Sequence, residues 1–98
     1  MYNAEVKNEY IMSGKGYLTQ RELLAFFKKL APIEMEYGKD ISLFDLEESK
    51  DAIIKTEPRN EKQAKVRCSF INGYRKWIYK NDEHLFKDME PDFYSQFN

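Results

Sequence analysis

The chain has 98 residues, 42% of them hydrophobic and 34% charged, with a formal net charge of −1. This is the size of one folded domain and a globular composition, which excludes a disordered, collagenous or low-complexity chain. No run approaches the roughly 20 apolar residues of a membrane span, the N-terminus lacks the apolar stretch of a signal peptide, and one Cys and one His leave no disulfide, no zinc cluster and little histidine chemistry.

The residues from Ala4 to Met12 suit a first helix, with Val6, Tyr10 and Ile11 on one side, and Gly14 and Gly16 break it. Thr19-Gln-Arg-Glu22 reads as a capping box: the Thr hydroxyl accepts from the amide three residues on, and the Glu reaches back. Leu23, Phe26, Phe27 and Leu30 follow at i, i+3, i+4, i+7. Pro32 suits the first turn of a new helix over 32–37, the alternative being one kinked helix over 19–37. Gly38 takes the left-handed position that ends it.

Asp45-Leu-Glu-Glu48 is a second capping box, opening a helix to about Lys55 with Leu46, Ile53 and Ile54 inward. Thr56-Glu-Pro58 stops it, because a residue before proline avoids the α region. Arg59 to Lys80 is the longest helical candidate, with Asn60 as its cap. Ala64, Cys68, Phe70, Ile71, Tyr74, Trp77 and Ile78 share one arc of its wheel, with Arg67 among them. Lys62, Lys65, Ser69, Asn72, Lys76 and Lys80 form a lysine-rich stripe opposite. The tail, 81–98, is acidic and aromatic. It reads either as a short last helix over the core or as a linker to a further domain.

The expected fold is therefore all-α, a compact orthogonal bundle of four to five short helices in a single domain, 1–98. Its expected core is Leu23, Phe26, Phe27, Leu30, Leu43, Phe44, Ile53, Ile54, Phe70, Ile71, Tyr74, Trp77 and Ile78.

Catalytic patterns are missing. Glu34/Glu36 and Glu47/Glu48 are spaced to solvate a helix rather than to face each other. Gly14-Lys15-Gly16 is too short for a phosphate loop, Cys68 falls on the buried side of its helix, and His84 has no partner nearby in sequence. Nothing implies an enzyme, a cofactor or a metal.

Charge is segregated, however. Residues 34–58 carry three bases and eight acids, whereas 59–80 carry seven bases and one acid. A lysine stripe preceded by Arg59-Asn60 suits phosphates, as do Thr19, Gln20 and Arg21 at the start of another helix.

Three stretches carry a family resemblance: Tyr17-Leu-Thr-Gln-Arg-Glu-Leu-Leu-Ala-Phe-Phe-Lys-Lys29, Gly38-Lys-Asp-Ile-Ser-Leu-Phe-Asp-Leu-Glu-Glu48 and Lys65-Val-Arg-Cys-Ser-Phe-Ile-Asn-Gly-Tyr-Arg-Lys-Trp77. They resemble the N-terminal core-binding (SAM-like) domain of phage integrases and other tyrosine recombinases. The opening residues, Met1 to Ile11, look closer still to integrase-like lytic-cycle repressors of temperate phages. The resemblance implies a cytoplasmic, non-catalytic DNA-binding domain, the N-terminal part of a longer protein active in DNA integration and recombination, with catalysis in a separate domain. It implies double-stranded DNA as partner and phosphate contacts from Lys15, Thr19, Gln20, Arg21, Arg59, Asn60, Lys62, Gln63, Lys65, Ser69, Asn72 and Lys76. The alternative is a protein-interaction module that self-associates through its aromatic tail.

Overall fold

The structure is a computed structural model that describes residues 1–79, 93, 94, 96 and 97. Among the described residues four helices occur in order: α1 (Ala4–Ile11), α2 (Tyr17–Tyr37), α3 (Leu46–Lys55) and α4 (Glu61–Ile78), with one 3₁₀ turn, η1 (Ile41–Leu43), between α2 and α3. No strand occurs among the described residues, and the fold is an all-α bundle.

One local expectation is corrected in α2, and one choice between alternatives is decided. The Thr19 capping box does not form. Gly16, in extended conformation, precedes the helix, and the Gln20 amide already donates to the Gly16 carbonyl at 2.9 Å. Thr19 therefore lies in the first turn instead of before it. Of the two readings at Pro32, the continuous one holds: no new helix starts there, and one 21-residue helix runs through the proline. An interior proline forfeits a backbone bond and costs about 3 kcal/mol. Here Leu30 and Ile33 on either side of it are buried, so core packing holds the helix together. Gly38 ends α2 with φ of 74° and donates to the Glu34 carbonyl at 2.8 Å, as expected.

The caps of α3 and α4 form as read. Asp45 accepts from the Glu48 amide at 2.8 Å, and Glu48 accepts from the Asp45 amide at 3.0 Å. Asn60 accepts from the Gln63 amide at 2.9 Å.

The core gathers on α2 and α4. Leu23, Phe27, Leu30, Ile53, Ile71 and Tyr74 are fully buried. Aromatic rings link three helices: Tyr74 of α4 stands 5.2 Å from Phe27 of α2 and 5.6 Å from Tyr10 of α1, which also meets Trp77. Gly73 of α4 leaves room for Tyr10 of α1; a Cβ there would run into the Tyr10 hydroxyl. Leu43 and Ile54, expected inside, are 59% and 46% exposed. On α3 the inward row is Ser49, Ala52 and Ile53, whose small members suit a close approach, and Ile54 is one step around from it. Phe70, Trp77 and Ile78 are half-buried against the core. Of the tail, Phe93 is buried, Tyr94 and Phe97 pack on the same core and Gln96 is exposed; Lys80 and the other tail residues, His84 included, lie outside the described residues.

One interior feature overturns the reading of Glu34 as a solvating carboxylate. Glu34 is fully buried, and so is Lys7 of α1. The Lys7 ammonium lies 2.6 Å from Glu34 Oε2 and 2.8 Å from Asp40 Oδ1, and donates to the Tyr2 carbonyl at 2.6 Å. The Ile41 amide donates to Glu34, and the Tyr74 hydroxyl and Ser42 amide donate to Asp40 Oδ2. This hub ties α1, α2, η1 and α4 together.

Candidate nucleic-acid interface

The N-terminal half of α4 packs beside the first half of α2, and a cleft of about 490 Å3 lies between them. The α2 wall is Glu22, Ala25, Phe26 and Lys29, an i, i+3, i+4, i+7 row. The facing wall runs from Arg59 and Asn60 through Lys62, Gln63, Val66 and Arg67 to Phe70. Phe26 and Phe70 meet across it with ring centroids 5.8 Å apart. The cleft thus presents Lys29, Arg59, Lys62 and Arg67 against a single acid, Glu22. Because the helix starts at Tyr17, Glu22 lies on the cleft edge instead of capping.

Each cation differs in its surroundings. Lys29, Arg59 and Lys62 are exposed and have no carboxylate within 4 Å among the described residues. Arg67 is only 9% exposed, and its Nη1 donates to the carbonyl and hydroxyl of Thr56 at 2.6 and 3.1 Å. Burial, helped by the neighbouring Arg59 charge, holds the Arg67 pKa below the usual arginine value. Gln63 is engaged locally: its side chain accepts from the Arg59 amide at 2.8 Å.

The acidic segment behaves in the opposite way. All three of its lysines are paired: Lys39 with Glu48 at 2.8 Å, Lys50 with Glu47 at 3.8 Å, and Lys55 with Glu36 and Asp51 at 3.2 Å each. Four cations without an ion pair among the described residues, Lys29, Arg59, Lys62 and Arg67, share the cleft; Lys15, Arg21, Lys28 and Lys76 are others, spread over the rest of the surface.

The residues expected to contact DNA divide into three groups. Arg59, Asn60, Lys62 and Gln63 come together in the cleft. Farther along α4, Lys65, Ser69 and Lys76 are exposed and Asn72 is half-buried. Lys65 is partly committed, standing 3.2 Å from Glu61 and 5.7 Å from the Tyr94 ring. The third group lies elsewhere. Gln20 and Arg21 line an apolar hollow with Ile11, Met12, Tyr17 and Leu24, the Arg21 guanidinium standing 5.9 Å from the Tyr17 ring. Thr19 is exposed in the same turn, and Lys15 sits over the Tyr10 ring at 4.3 Å.

Sequence reading missed Lys29 and left Arg67 without a role. Lys29 shares its helical row with Glu22 and Phe26, a signal that acquires meaning only once α4 is known to lie alongside. Among the described residues no group of three or more His, Cys, Asp or Glu is placed to hold a metal ion. No helix among them is long and apolar enough to cross a membrane.

A family model described as "MrpR, N-terminal core-binding domain" matches residues 1–80, a span that contains all four helices. No curated protein matches the chain, and no solved structure does.

Proposed function

Since the chain belongs to the MrpR N-terminal core-binding domain family, we propose that it is a non-catalytic DNA-binding module of an integrase-like protein. It grips duplex phosphates with the outward flank of α4 and with the cations where α4 begins. The observation that carries this reading is the contrast in pairing. In a chain of net charge −1, the lysines of the acidic segment are neutralised by neighbours, while Lys29, Arg59 and Lys62 are not. Cations left exposed in this way suit phosphates, and such contacts position a duplex without reading its sequence. The parent protein is either a recombinase acting in DNA integration or a lytic-cycle repressor, working in the cytoplasm where phage DNA resides.

The test is a salt titration of binding to random-sequence duplex. Each phosphate neutralised releases counterions, so affinity falls steeply with salt, with a log–log slope of about −0.9 per contact. A variant with Lys62, Lys65 and Lys76 changed to Glu binds more weakly, with a shallower slope. Equal binding by the two chains refutes the α4 contact.

A second reading, a protein-interaction module, is favoured by one observation: Met12 and Tyr17, which line the same hollow, are 68% and 72% exposed, and Leu18 beside Tyr17 is 70% exposed. It requires salt-tolerant association that the triple variant leaves unchanged.

A further inference from the structure

An arginine cannot shed its charge by losing a proton, and burying that charge is costly unless an anion accompanies it. Arg67 is nine-tenths buried, and no carboxylate lies within ion-pair distance of it among the described residues. Its two hydrogen bonds go from Nη1 to Thr56, the C-cap of α3, which fixes the side chain across that helix end, whose dipole favours a cation but supplies no full counter-charge. The same side chain lines the α2–α4 cleft. Around it stand Lys29, Arg59 and Lys62, each exposed and unpaired, so the cleft sets four cations against one carboxylate, Glu22, and keeps an excess of positive charge. Beside these cations, Val66 and Phe70 supply an apolar wall. A guanidinium fork set among ammonium groups fits the tetrahedral oxygens of a phosphate, and an apolar wall next to it fits a sugar face.

We propose that the α2–α4 cleft is a discrete anion pocket that seats one phosphate ester, with Arg67 as its buried anchor and Lys29, Arg59 and Lys62 as its rim. The proposal rests on the DNA-binding reading for its source, one strand of a duplex, and extends it from the flank of α4 to a built pocket shared with α2. A free nucleoside monophosphate offers the same chemistry, and the test separates the two.

Arg67 also ties α3 to α4, so the mutational arm uses the rim. Lys29→Gln and Glu22→Gln both alter exposed side chains without a partner among the described residues. The intact chain, labelled with nitrogen-15, is titrated separately with inorganic phosphate, adenosine monophosphate and a short random-sequence duplex, and the Arg67 Nε–Hε resonance is followed. With the duplex, that resonance shifts, Lys29→Gln weakens binding about 3- to 10-fold and lowers the salt slope by about one, and Glu22→Gln tightens it. If phosphate and the monophosphate move Arg67 but the duplex does not bind, the pocket stands with a free ester as its ligand and the DNA-binding reading fails. If the duplex binds with Arg67 unmoved and Lys29→Gln unaltered, the pocket is overturned and the α4 flank alone remains. If no probe moves Arg67, the pocket is likewise overturned.

Discussion

Lys7, Glu34 and Asp40 set two carboxylates against one ammonium in the buried interior, so with both carboxyls ionised the group carries an unbalanced negative charge. Such a charge is relieved most simply by binding a proton. Burial pushes the Glu34 carboxyl up to about 7, outweighing the lowering by Lys7 and the Ile41 amide. Burial pushes on Asp40 as well, but there the bonds from Lys7 and Ser42 prevail and its pKa stays below the ordinary value. The proton therefore belongs to Glu34. Between about pH 4.5 and about pH 7 the folded chain holds this proton more tightly than the unfolded chain does. The stability it contributes is complete below that window and is lost as pH rises through it. The denaturant midpoint accordingly falls from the lower to the upper end of the window, and Glu34→Gln flattens the trend; an unchanged slope in the variant contradicts the assignment. None of this was legible in the sequence. A lysine in a helical repeat reads as solvent-facing, and the partner that draws Lys7 inward lies 27 residues away.

At the scale of the element, the caps that could be read locally are those whose flanking residues leave no rival start. Asp45 follows the buried Phe44 and Asn60 follows Pro58-Arg59, so each helix has one place to begin. Thr19 had a rival. Gly16 opens the chain immediately before Tyr17, and the helix takes that start because extending it adds backbone bonds at little cost. These two outcomes make a paired prediction. Asp45→Ala removes a formed capping box and costs about 1 kcal/mol, whereas Thr19→Ala, on an exposed first turn, changes stability by less than about 0.5 kcal/mol. Chemical denaturation of both variants checks it, and equal losses refute the placement of the α2 start. Whether Pro32 restarts the helix or is carried within it could not be decided from the sequence, since the buried contacts of Leu30 and Ile33 that carry the helix past it are tertiary.

Across the whole molecule, the segregation of charge along the chain pointed correctly to α4 as the cationic element. It did not show that α2 supplies the opposing wall, because the pairing of two helices is set by which apolar rows interlock. Phe26 against Phe70 fixes that pairing, and Lys29 is carried to the cleft with it. On the other side of α4, Tyr94 from the tail meets Cys68, whose thiol is 1% exposed and is pushed by burial up to about 12. A thiol so placed is almost never a thiolate and cannot be reached from outside. The chain has no other cysteine. A sulfhydryl reagent therefore finds nothing to modify until the C-terminal cover lifts or the bundle comes apart, and its rate of incorporation becomes a clock for that breathing. If ligand binding steadies α4, the clock slows, giving a readout of occupancy that needs no label introduced into the protein.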